Sequence, residues 1–231
     1  MPAAPPRPTW TRRPLLEALP YFAGLSQQAR TDVEARLVRL NLARGEVPLT
    51  EGSPSDRLFF VAKGRLKVLK TSASGREHIL RLLRPGDSFN EVAVFDGGPA
   101  PATVVAMEPA TLYYLRRKDV LELLARHPTI AQQVTRYLAQ QLRQIVSMVE
   151  DLSFKHVTAR LAKLLLAQAQ PAGRGATGLR DRLTQQDMAA MIGTAREVVA
   201  RSLRDLEQRG AIRVEQRRII IVNRSILEES A

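Results

Sequence analysis

Short β-prone runs and regularly spaced glycines alternate through the first half of the chain. The glycines recur every 11 or 12 residues, at Gly52, Gly64, Gly75, Gly86 and Gly97. They separate segments rich in strand-forming residues, such as RLFFVAKG, RLKVLKT and REHILRLL. This rhythm of strand and turn predicts a sandwich or a small barrel.

The pattern becomes helical after the strand-like segment TLYYL. No glycine occurs from Pro99 to Ala172, and apolar residues then step by three or four positions. These residues are Ile130, Val134, Leu138, Leu142, Ile145, Val149 and Leu152. A stripe this narrow and long predicts a helix that pairs with a partner helix. We therefore predict a dimer interface formed by these seven residues; packing against the helix's own domain is the alternative.

Two short helices and a hairpin are predicted near the end of the chain. The first helix, QQDMAAMI, follows Thr184 as its N-cap and ends at Gly193. Thr194 is expected to cap the second helix, which ends near Gly210. The segment AIRVEQRRIIIV follows as a hairpin, so this region predicts a winged helix-turn-helix. The preceding segment QPAGRGATG is expected to be a flexible loop because of its Gly, Pro and Ala content.

The second of these helices has an apolar and a charged side. Its core is expected to contain Val198, Leu203 and Leu206. Arg196, Glu197 and Arg201 stand near its start, where a helix-turn-helix enters the DNA major groove. Arginine can pair with guanine O6 and N7, and glutamate can accept from cytosine N4, so we predict that this trio reads bases. A Glu197–Arg201 ion pair on a solvated helix face is the alternative.

The charge of the chain also favours a nucleic-acid partner. The 35 Lys and Arg residues exceed the 23 Asp and Glu residues, which gives a formal net charge of +12. From Lys155 to Ala231 the chain has 14 basic and 8 acidic side chains, a difference of +6. Such an excess attracts polyanions, and we expect the partner to be double-stranded DNA. A basic protein that packages DNA without regard to sequence is the nearest alternative.

Other classes of protein are excluded or disfavoured by what the sequence lacks. Cysteine is absent, which excludes a disulfide framework and a cysteine-ligated zinc or iron–sulfur site. Three scattered histidines cannot supply a cupin-type metal centre, and no P-loop or Ser-His-Asp arrangement occurs, so we expect neither an enzyme nor a metal site. No segment approaches the roughly 18 apolar residues of a membrane span. We therefore expect a cytoplasmic protein without membrane contact.

The segment TQQDMAAMIGTAREVVARSLRDLEQRGAI resembles the CRP/FNR family of bacterial transcription regulators. The resemblance extends from about Leu15 onwards: RPGDSFNEVAVFDGG is similar to the family's turn into its effector pocket, and His127–Pro128 to the start of its dimer helix. It implies an α+β homodimer with an N-terminal antiparallel β-roll of the double-stranded jelly-roll type, a long dimerisation helix and a C-terminal winged helix-turn-helix. It also implies RNA polymerase as a partner.

The resemblance implies domain boundaries and DNA contacts as well. We expect a mobile Pro-rich tail over residues 1–14, a sensor domain over 15–126, the dimerisation helix over 127–153 and the DNA-binding domain over 154–231. The base-reading trio matches the family's readers of a TGTGA-type half-site. Thr184 and Gln186 match its phosphate-contacting residues, and Arg217 in the expected wing is predicted to contact phosphate as well.

The expected effector pocket departs from the pattern of nucleotide-responsive members. Glu91 is retained, but Asn90 replaces the preceding glycine, and Pro101 and Ala102 replace the Arg-Ser pair that holds the cyclic phosphate. The positions that meet adenine hold Ile145 and Val146. A buried phosphate without its arginine would lack a charged partner, so we expect that cyclic AMP does not bind and predict no cofactor.

Several possibilities for the sensor remain open at the level of sequence. A substitute cation could come from Arg76, Arg81 or Arg84, although each is more simply a solvated strand residue. Haem would require an axial ligand from His78, His127 or His156; His156 is more simply a local helix cap. The sensor could also respond to an unidentified apolar or weakly polar effector, or the protein could be active without any ligand.

Overall fold

The structure is a computed structural model that describes residues 16, 19–22, 24–171, 177–179, 183–215 and 218–231. It contains two compact units. The first runs up to Lys70 and resumes over Leu80–Leu142; the second contains Thr71–Ile79 and Arg143–Ala231. The predicted mobile tail, residues 1–14, lies outside the described residues. None of the described helices is long and apolar enough to cross a lipid bilayer.

After a short 3-10 helix at Pro20–Phe22, the elements up to Phe154 are mainly strands, with helices before, among and after them. In chain order they are α1 (Gln27–Arg36), β1 (Val38–Leu42), β2 (Arg57–Lys63), β3 (Leu66–Thr71), β4 (Glu77–Leu83), β5 (Ser88–Phe89), α2 (Glu91–Asp96), β6 (Thr103–Ala106), β7 (Ala110–Arg116), α3 (Arg117–Arg126) and α4 (Pro128–Phe154). One sheet has the strand order β1-β7-β2-β5, and another has the order β4-β3-β6. The pairing is antiparallel within the four-stranded sheet and between β3 and β6, so the predicted β-roll is confirmed.

Strand β2 shows how the sequence pattern forms the core of the first unit. Its five central residues, from Leu58 to Ala62, are all buried. Because successive side chains of a strand point to opposite faces, Leu58 and Phe60 pack in one apolar cluster while Phe59 and Val61 pack in another. The strand is therefore apolar without alternation because both of its faces are covered.

Helix α4 begins one residue later and ends one residue later than the predicted 127–153. Pro128 occupies its first position, where a missing N–H costs nothing because no intrahelical acceptor is available. The helix α1 was not predicted from the sequence. It begins after Ser26, whose hydroxyl accepts a hydrogen bond from the backbone N–H of Ala29.

The remaining elements form the predicted winged helix-turn-helix. They are α5 (Val157–Gln168), β8 (Ala169–Pro171), β9 (Thr177–Leu179), α6 (Gln185–Ile192), α7 (Arg196–Gln208), β10 (Ile212–Glu215), β11 (Arg218–Ile221) and α8 (Arg224–Glu229). The strands form an antiparallel sheet in the order β10-β11-β9-β8. Residues of α5, α6, α7 and the β10–β11 hairpin share one apolar core.

Local details of this region differ from the prediction in two places. The expected loop QPAGRGATG contributes strands β8 and β9, because Gly178 pairs with Ile220 of β11 and tertiary pairing outweighs local Gly and Pro content. The N-cap of α7 is Ala195 rather than Thr194, and it makes no side-chain cap bond. That shift places Val199, not Val198, in the core.

Candidate functional site

Helix α7 separates a buried side from a charged side at its start. Val199, Leu203 and Leu206 are buried in the core of the helix-turn-helix. The base-reading trio, Arg196, Glu197 and Arg201, is exposed. Since the apolar side anchors the helix, the first two turns of α7 present two guanidiniums and one carboxylate to solvent.

The trio makes no internal ion pair. In the part of the chain that the structure describes, Arg196, Glu197 and Arg201 have no side-chain hydrogen bond or salt bridge, so the alternative Glu197–Arg201 pair does not form. Other basic residues of the second unit are paired with carboxylates: Arg209 with Asp205, Arg213 with Glu215, Arg224 with Glu228 and Lys163 with Asp151. The donors at the start of α7 therefore stand free for an external acceptor.

The turn before α7 requires glycine for two reasons. Gly193 has a φ of 67°, in the left-handed region that side chains disfavour. A Cβ there would also lie 3.3 Å from Leu152 Cδ2 and 3.6 Å from His78 Cε1. The turn is thus tight and closely covered, which fixes the direction in which α7 starts.

The predicted phosphate-contacting residues differ in how available they are. The hydroxyl of Thr184 accepts from the backbone N–H of Asp187 at 3.0 Å, and the backbone N–H of Thr184 donates to the Asp187 carboxylate at 3.0 Å. These two bonds form a capping box, in which the Thr184 hydroxyl also donates to the same carboxylate at 2.7 Å. Its donor is already used within the chain. Gln186 is exposed at the start of α6. Arg217 lies outside the described residues.

The apolar stripe of α4 divides into a buried and an exposed part. Ile130 and Val134 are only 2% and 7% exposed and belong to the core of the first unit. The other five predicted interface residues keep exposed apolar surface: Leu138, Leu142, Ile145, Val149 and Leu152. The surface of Ile130 and Val134 is already covered within one chain, so an interface along this helix can use only the later residues.

Two residues of the predicted effector pocket, Asn90 and Glu91, have hydrogen-bond partners within the chain, whereas Ile145 and Val146 are exposed on α4. Asn90 adopts a left-handed backbone with φ 73°, which explains why a residue tolerant of positive φ takes the place of the family's glycine. Its amide donates to Ser55 Oγ at 3.0 Å and to the Arg57 carbonyl at 2.9 Å. Pro101 is exposed and Ala102 is buried, and neither side chain has a donor for phosphate.

Glu91 belongs to a polar cluster that spacing along the sequence did not reveal. Its Oε1 accepts from Tyr21 Oη at 2.8 Å and from Ser88 Oγ at 2.6 Å. Ser88 Oγ also lies 2.9 Å from Tyr21 Oη and 3.3 Å from Tyr137 Oη. Since Ser88 has one proton and its shortest contact is with the carboxylate, the Tyr137 hydroxyl is left to donate to Ser88.

Arg81 completes this interior cluster, which we define as Tyr21, Arg81, Asp87, Ser88, Glu91, Tyr137 and Gln141. Its guanidinium donates to Tyr137 Oη at 3.0 Å, to Gln141 Oε1 at 3.1 Å and to Asp87 Oδ1 at 2.8 Å. Arg81 was one of three arginines considered as a substitute for the family's phosphate-binding arginine. Its guanidinium is instead hydrogen-bonded to two residues of α4. A directed chain of hydrogen bonds runs from its positive charge through Tyr137 and Ser88 to Glu91.

Burial shifts the acidity of the phenols in the cluster. The pKa of Tyr21 is raised far above its ordinary value, first by burial and then by the nearby Glu91 carboxylate. The pKa of Tyr137 is raised by the same two causes, against the opposing effect of Arg81. Burial acts to lower the pKa of Arg81, but Tyr137 and Asp87 outweigh it, so the guanidinium keeps its charge.

The histidines considered as haem ligands have separate environments. His127 Nε2 lies 3.1 Å from Asp32 Oδ2 and follows the end of α3. His156 is the N-cap residue of α5 but makes no side-chain cap bond, so the expected local cap does not form. His78 is half-buried beside the Gly193 turn. Within the described residues, no group of three or more His, Asp or Glu side chains could hold a metal ion.

Comparison with known proteins identifies two matching family profiles. Residues 39–127 match the profile described as "Cyclic nucleotide-binding domain", and residues 159–230 match "Crp-like helix-turn-helix domain". These ranges fall within the predicted sensor and DNA-binding regions, apart from His127. The exact domain boundaries stay a prediction.

Individual relatives cover nearly the whole chain. The "CRP-like cAMP-activated global transcriptional regulator" of Mycobacterium tuberculosis is 32% identical over 203 residues, which cover 87% of this chain and 91% of the relative. The "Cyclic AMP receptor protein" of Thermus thermophilus is 30% identical over 216 residues, which cover 94% and 98%. The solved structure of a CRP/FNR-family transcriptional regulator, also from Thermus thermophilus, is 27% identical, covers 84% of this chain and 98% of its own, and has a TM-score of 0.67.

The interior cluster predicts how stability depends on alkaline pH. The folded protein holds the Tyr137 proton more tightly than the unfolded chain, whose phenol ionises near pH 10.0. This contribution is complete below that pH and is lost as the pH rises above it. Urea unfolding should therefore show a fall in the free energy of unfolding above about pH 10 that is shallower in Tyr137→Phe. Equal slopes for the parent and for Tyr137→Phe would contradict the assignment.

Proposed function

Because this chain belongs to the CRP/FNR family of transcription regulators, we propose that it binds an inverted-repeat DNA site as a homodimer, without needing cyclic AMP. The observation that carries the proposal is the free base-reading trio at the start of α7, opposite a buried apolar side. The relatives are transcription regulators, and we propose a regulatory, non-catalytic role with RNA polymerase as a partner.

Sequence recognition is supported by the chemistry of the trio. Arg196 and Arg201 can each offer two parallel donors to guanine O6 and N7, and Glu197 can accept from cytosine N4. These donors can bind a base only when they are not paired with a carboxylate of the protein. Among the described residues no such pairing occurs. Gln186, exposed at the start of α6, is the better candidate for a phosphate contact, because Thr184 uses its donor in the capping box.

Homodimerisation is supported by the exposed part of the α4 stripe. Ile145 and Val149 are 56% and 58% exposed, one helical turn apart, and Leu142 and Leu152 extend the same surface. A row of exposed aliphatic side chains at this spacing is stable in water when a second helix covers it. A two-fold axis beside α4 would bring identical residues of two copies together.

Independence from cyclic AMP is supported by the side chains at the predicted effector pocket. The relatives from Mycobacterium tuberculosis and Thermus thermophilus are named for cyclic AMP, but their names do not settle what this chain binds. Here Pro101 and Ala102 offer no donor for a phosphate, and the Glu91 carboxylate is already bonded to Tyr21 and Ser88. A nucleotide would have to break these bonds without gaining a charged partner.

We therefore propose that the sensor domain fixes the position of α4 without a bound ligand. Arg81 joins β4 to Tyr137 and Gln141 of α4 through hydrogen bonds within one chain. A contact of this kind can fix the middle of α4 where another regulator would use an effector. Gating by haem or by another small molecule is the alternative, and no observation on His78, His127 or His156 favours haem over a ligand-free sensor.

We predict that charge on the exposed stripe disrupts the dimer. The double variant Ile145→Lys and Val149→Lys should be a folded monomer, because both side chains are exposed in one chain and their change costs the fold little. Light scattering after gel filtration measures the mass. The matched control, Gln140→Lys with Gln144→Lys, adds the same charges to exposed polar positions of α4 and should remain dimeric. A dimeric Ile145/Val149 variant would exclude this interface.

We predict that cyclic AMP neither binds the protein nor changes its affinity for DNA. Titration calorimetry with the full chain should give no binding heat at millimolar nucleotide. The same preparation should shift its selected DNA site in a gel without added nucleotide, which verifies that it is active. Micromolar binding, or DNA binding that appears only with cyclic AMP, would overturn the prediction.

We predict that Arg196 reads a base and that Gln186 reads the backbone. Arg196→Ala should cost about 1–3 kcal/mol per half-site and relax preference at one guanine, because a bidentate donor pair is lost. Gln186→Ala should weaken binding to all sequences about equally. Randomised-site selection measures both effects, and the selected parent site should be two half-sites about 34 Å apart.

The control for this experiment is Arg209→Ala. It removes one positive charge from the same unit. Arg209 directly follows the C-terminal end of α7, far from the trio, and is paired with Asp205 of the last turn. Its base preferences should equal those of the parent. If Arg196→Ala also kept the parent's preferences and lost affinity uniformly, the trio would not read sequence, and the sequence-indifferent alternative would be favoured.

A further inference from the structure

An open cleft of about 810 Å³ lies in the first unit, on residues without a role in the proposed DNA site or the interior cluster. One wall is formed by residues of the segment 47–57, and the other by the turn 97–99 after α2. Arg117 stands at the start of α3, and Phe59 and Ala93 form part of the floor. Its volume lies within the roughly 300–1,000 Å³ that small-molecule sites occupy. The six predicted effector-pocket residues, all of them described, lie outside its lining.

Hydrogen bonds hold the two walls in place. The backbone N–H of Gly52 donates to the Ala100 carbonyl at 2.9 Å, and the N–H of Ala100 donates to the Ser53 carbonyl at 2.9 Å. From behind, the Asn90 amide donates to Ser55 and to the Arg57 carbonyl. The segment 47–57 is thus tied to Ala100, directly after the opposite wall, and to Asn90 at the start of α2, so the cleft is preformed.

Two guanidiniums face this cleft with few internal acceptors. Arg57 lies over the Tyr114 ring, 4.8 Å from its centroid, and its Nε is 4.0 Å from the exposed carboxylate of Asp56. Arg117 uses its Nε to donate to the Val94 carbonyl at 2.9 Å, which orients its other nitrogens. Asp56 is the one acidic residue among the described residues that line the cleft. Because each guanidinium has five N–H donors, donors here exceed acceptors.

The rest of the lining is apolar or small. Leu49, Phe59 and Ala93 are buried beneath the cleft, and Pro48, Pro54 and Pro99 contribute further apolar surface. Gly97, with φ 79°, leaves open the space beside Arg117: a Cβ there would lie 3.5 Å from Nη2. A ligand could therefore reach the guanidinium while resting on an apolar floor.

We propose that this cleft binds a small organic anion, with one carboxylate or phosphate group on a compact apolar body. The planar fork of each guanidinium recognises the oxygens of such an anion through parallel hydrogen bonds. The apolar floor contacts the body and gives selectivity over inorganic ions. The site is separate from the interior cluster and does not depend on whether the protein reads DNA as proposed.

Titration calorimetry on the full chain tests this proposal with four probes of matched size or charge. Benzoate and phenyl phosphate combine an anion with an apolar ring; benzyl alcohol lacks the charge, and inorganic phosphate lacks the ring. At least one of the two aromatic anions should bind, and the tighter one identifies a carboxylate or a phosphate as the recognised group. The neutral alcohol and inorganic phosphate should bind at least about tenfold more weakly.

Two variants locate the binding at the cleft. Arg57→Met removes one donor set, and Thr50→Glu adds a carboxylate to an exposed position of the wall; each should weaken binding of the aromatic anion about tenfold or more. Arg116→Met is the matched control, because Arg116 is exposed and pairs with Arg57 across β2 and β7 without lining the cleft. The proposal is overturned if neither anion binds, if a control probe binds as tightly, or if Arg57→Met and Thr50→Glu bind as Arg116→Met does.

Discussion

A guanidinium inside a folded unit must be compensated by oxygens, and Arg81 meets this requirement with Asp87, Tyr137 and Gln141. The Arg81 side chain is 27% exposed, so water compensates part of its charge and these three oxygens compensate the rest. Strand β4 and helix α4 are therefore coupled: the helix cannot slide by one residue without removing both of its acceptors from Arg81. Buried Ile130 and Val134 anchor the first turns of α4 in the core of the first unit, and the Arg81 contact fixes the register of the turns that follow.

The fold shared with relatives named for cyclic AMP here encloses polar side chains that are already hydrogen-bonded within the chain. The family profile for cyclic nucleotide binding matches residues 39–127, and relatives named for cyclic AMP are 30–32% identical to this chain. The backbone requirement at Asn90, a left-handed φ, is met by a residue whose side chain bonds to Ser55 and Arg57. The acid at Glu91 is kept, but tyrosine and serine hydroxyls occupy its oxygen. Backbone geometry and ligand chemistry can therefore change independently.

The elements that depend on neighbours in sequence could be predicted. Glycine spacing located the strand region, the apolar stripe from Ile130 to Leu152 located the body of α4, and Thr184 with Gly193 bounded α6. These signals are local, because a turn or a cap is formed by residues a few positions apart. The trio at the start of α7 was found for the same reason.

Features that depend on tertiary contacts could not be predicted. The stripe of α4 predicts apolar contact, but it does not distinguish Val134, which the chain itself buries, from Val149, which it leaves exposed. Strands β8 and β9 form because β11 is beside them. Five of the seven hydrogen bonds described in the interior cluster join residues 49 to 70 positions apart. The sequence signal for the cluster was that Tyr137 follows Val134 by three positions, on the buried side of the helix. This arrangement also constrains synthesis: Tyr21 rests edge-on against Tyr137, which leaves the ribosome 116 residues later, on the order of ten seconds. During that interval the Tyr21 ring lacks the cover that Tyr137 gives it, so the newly made sensor exposes apolar surface until α4 has emerged.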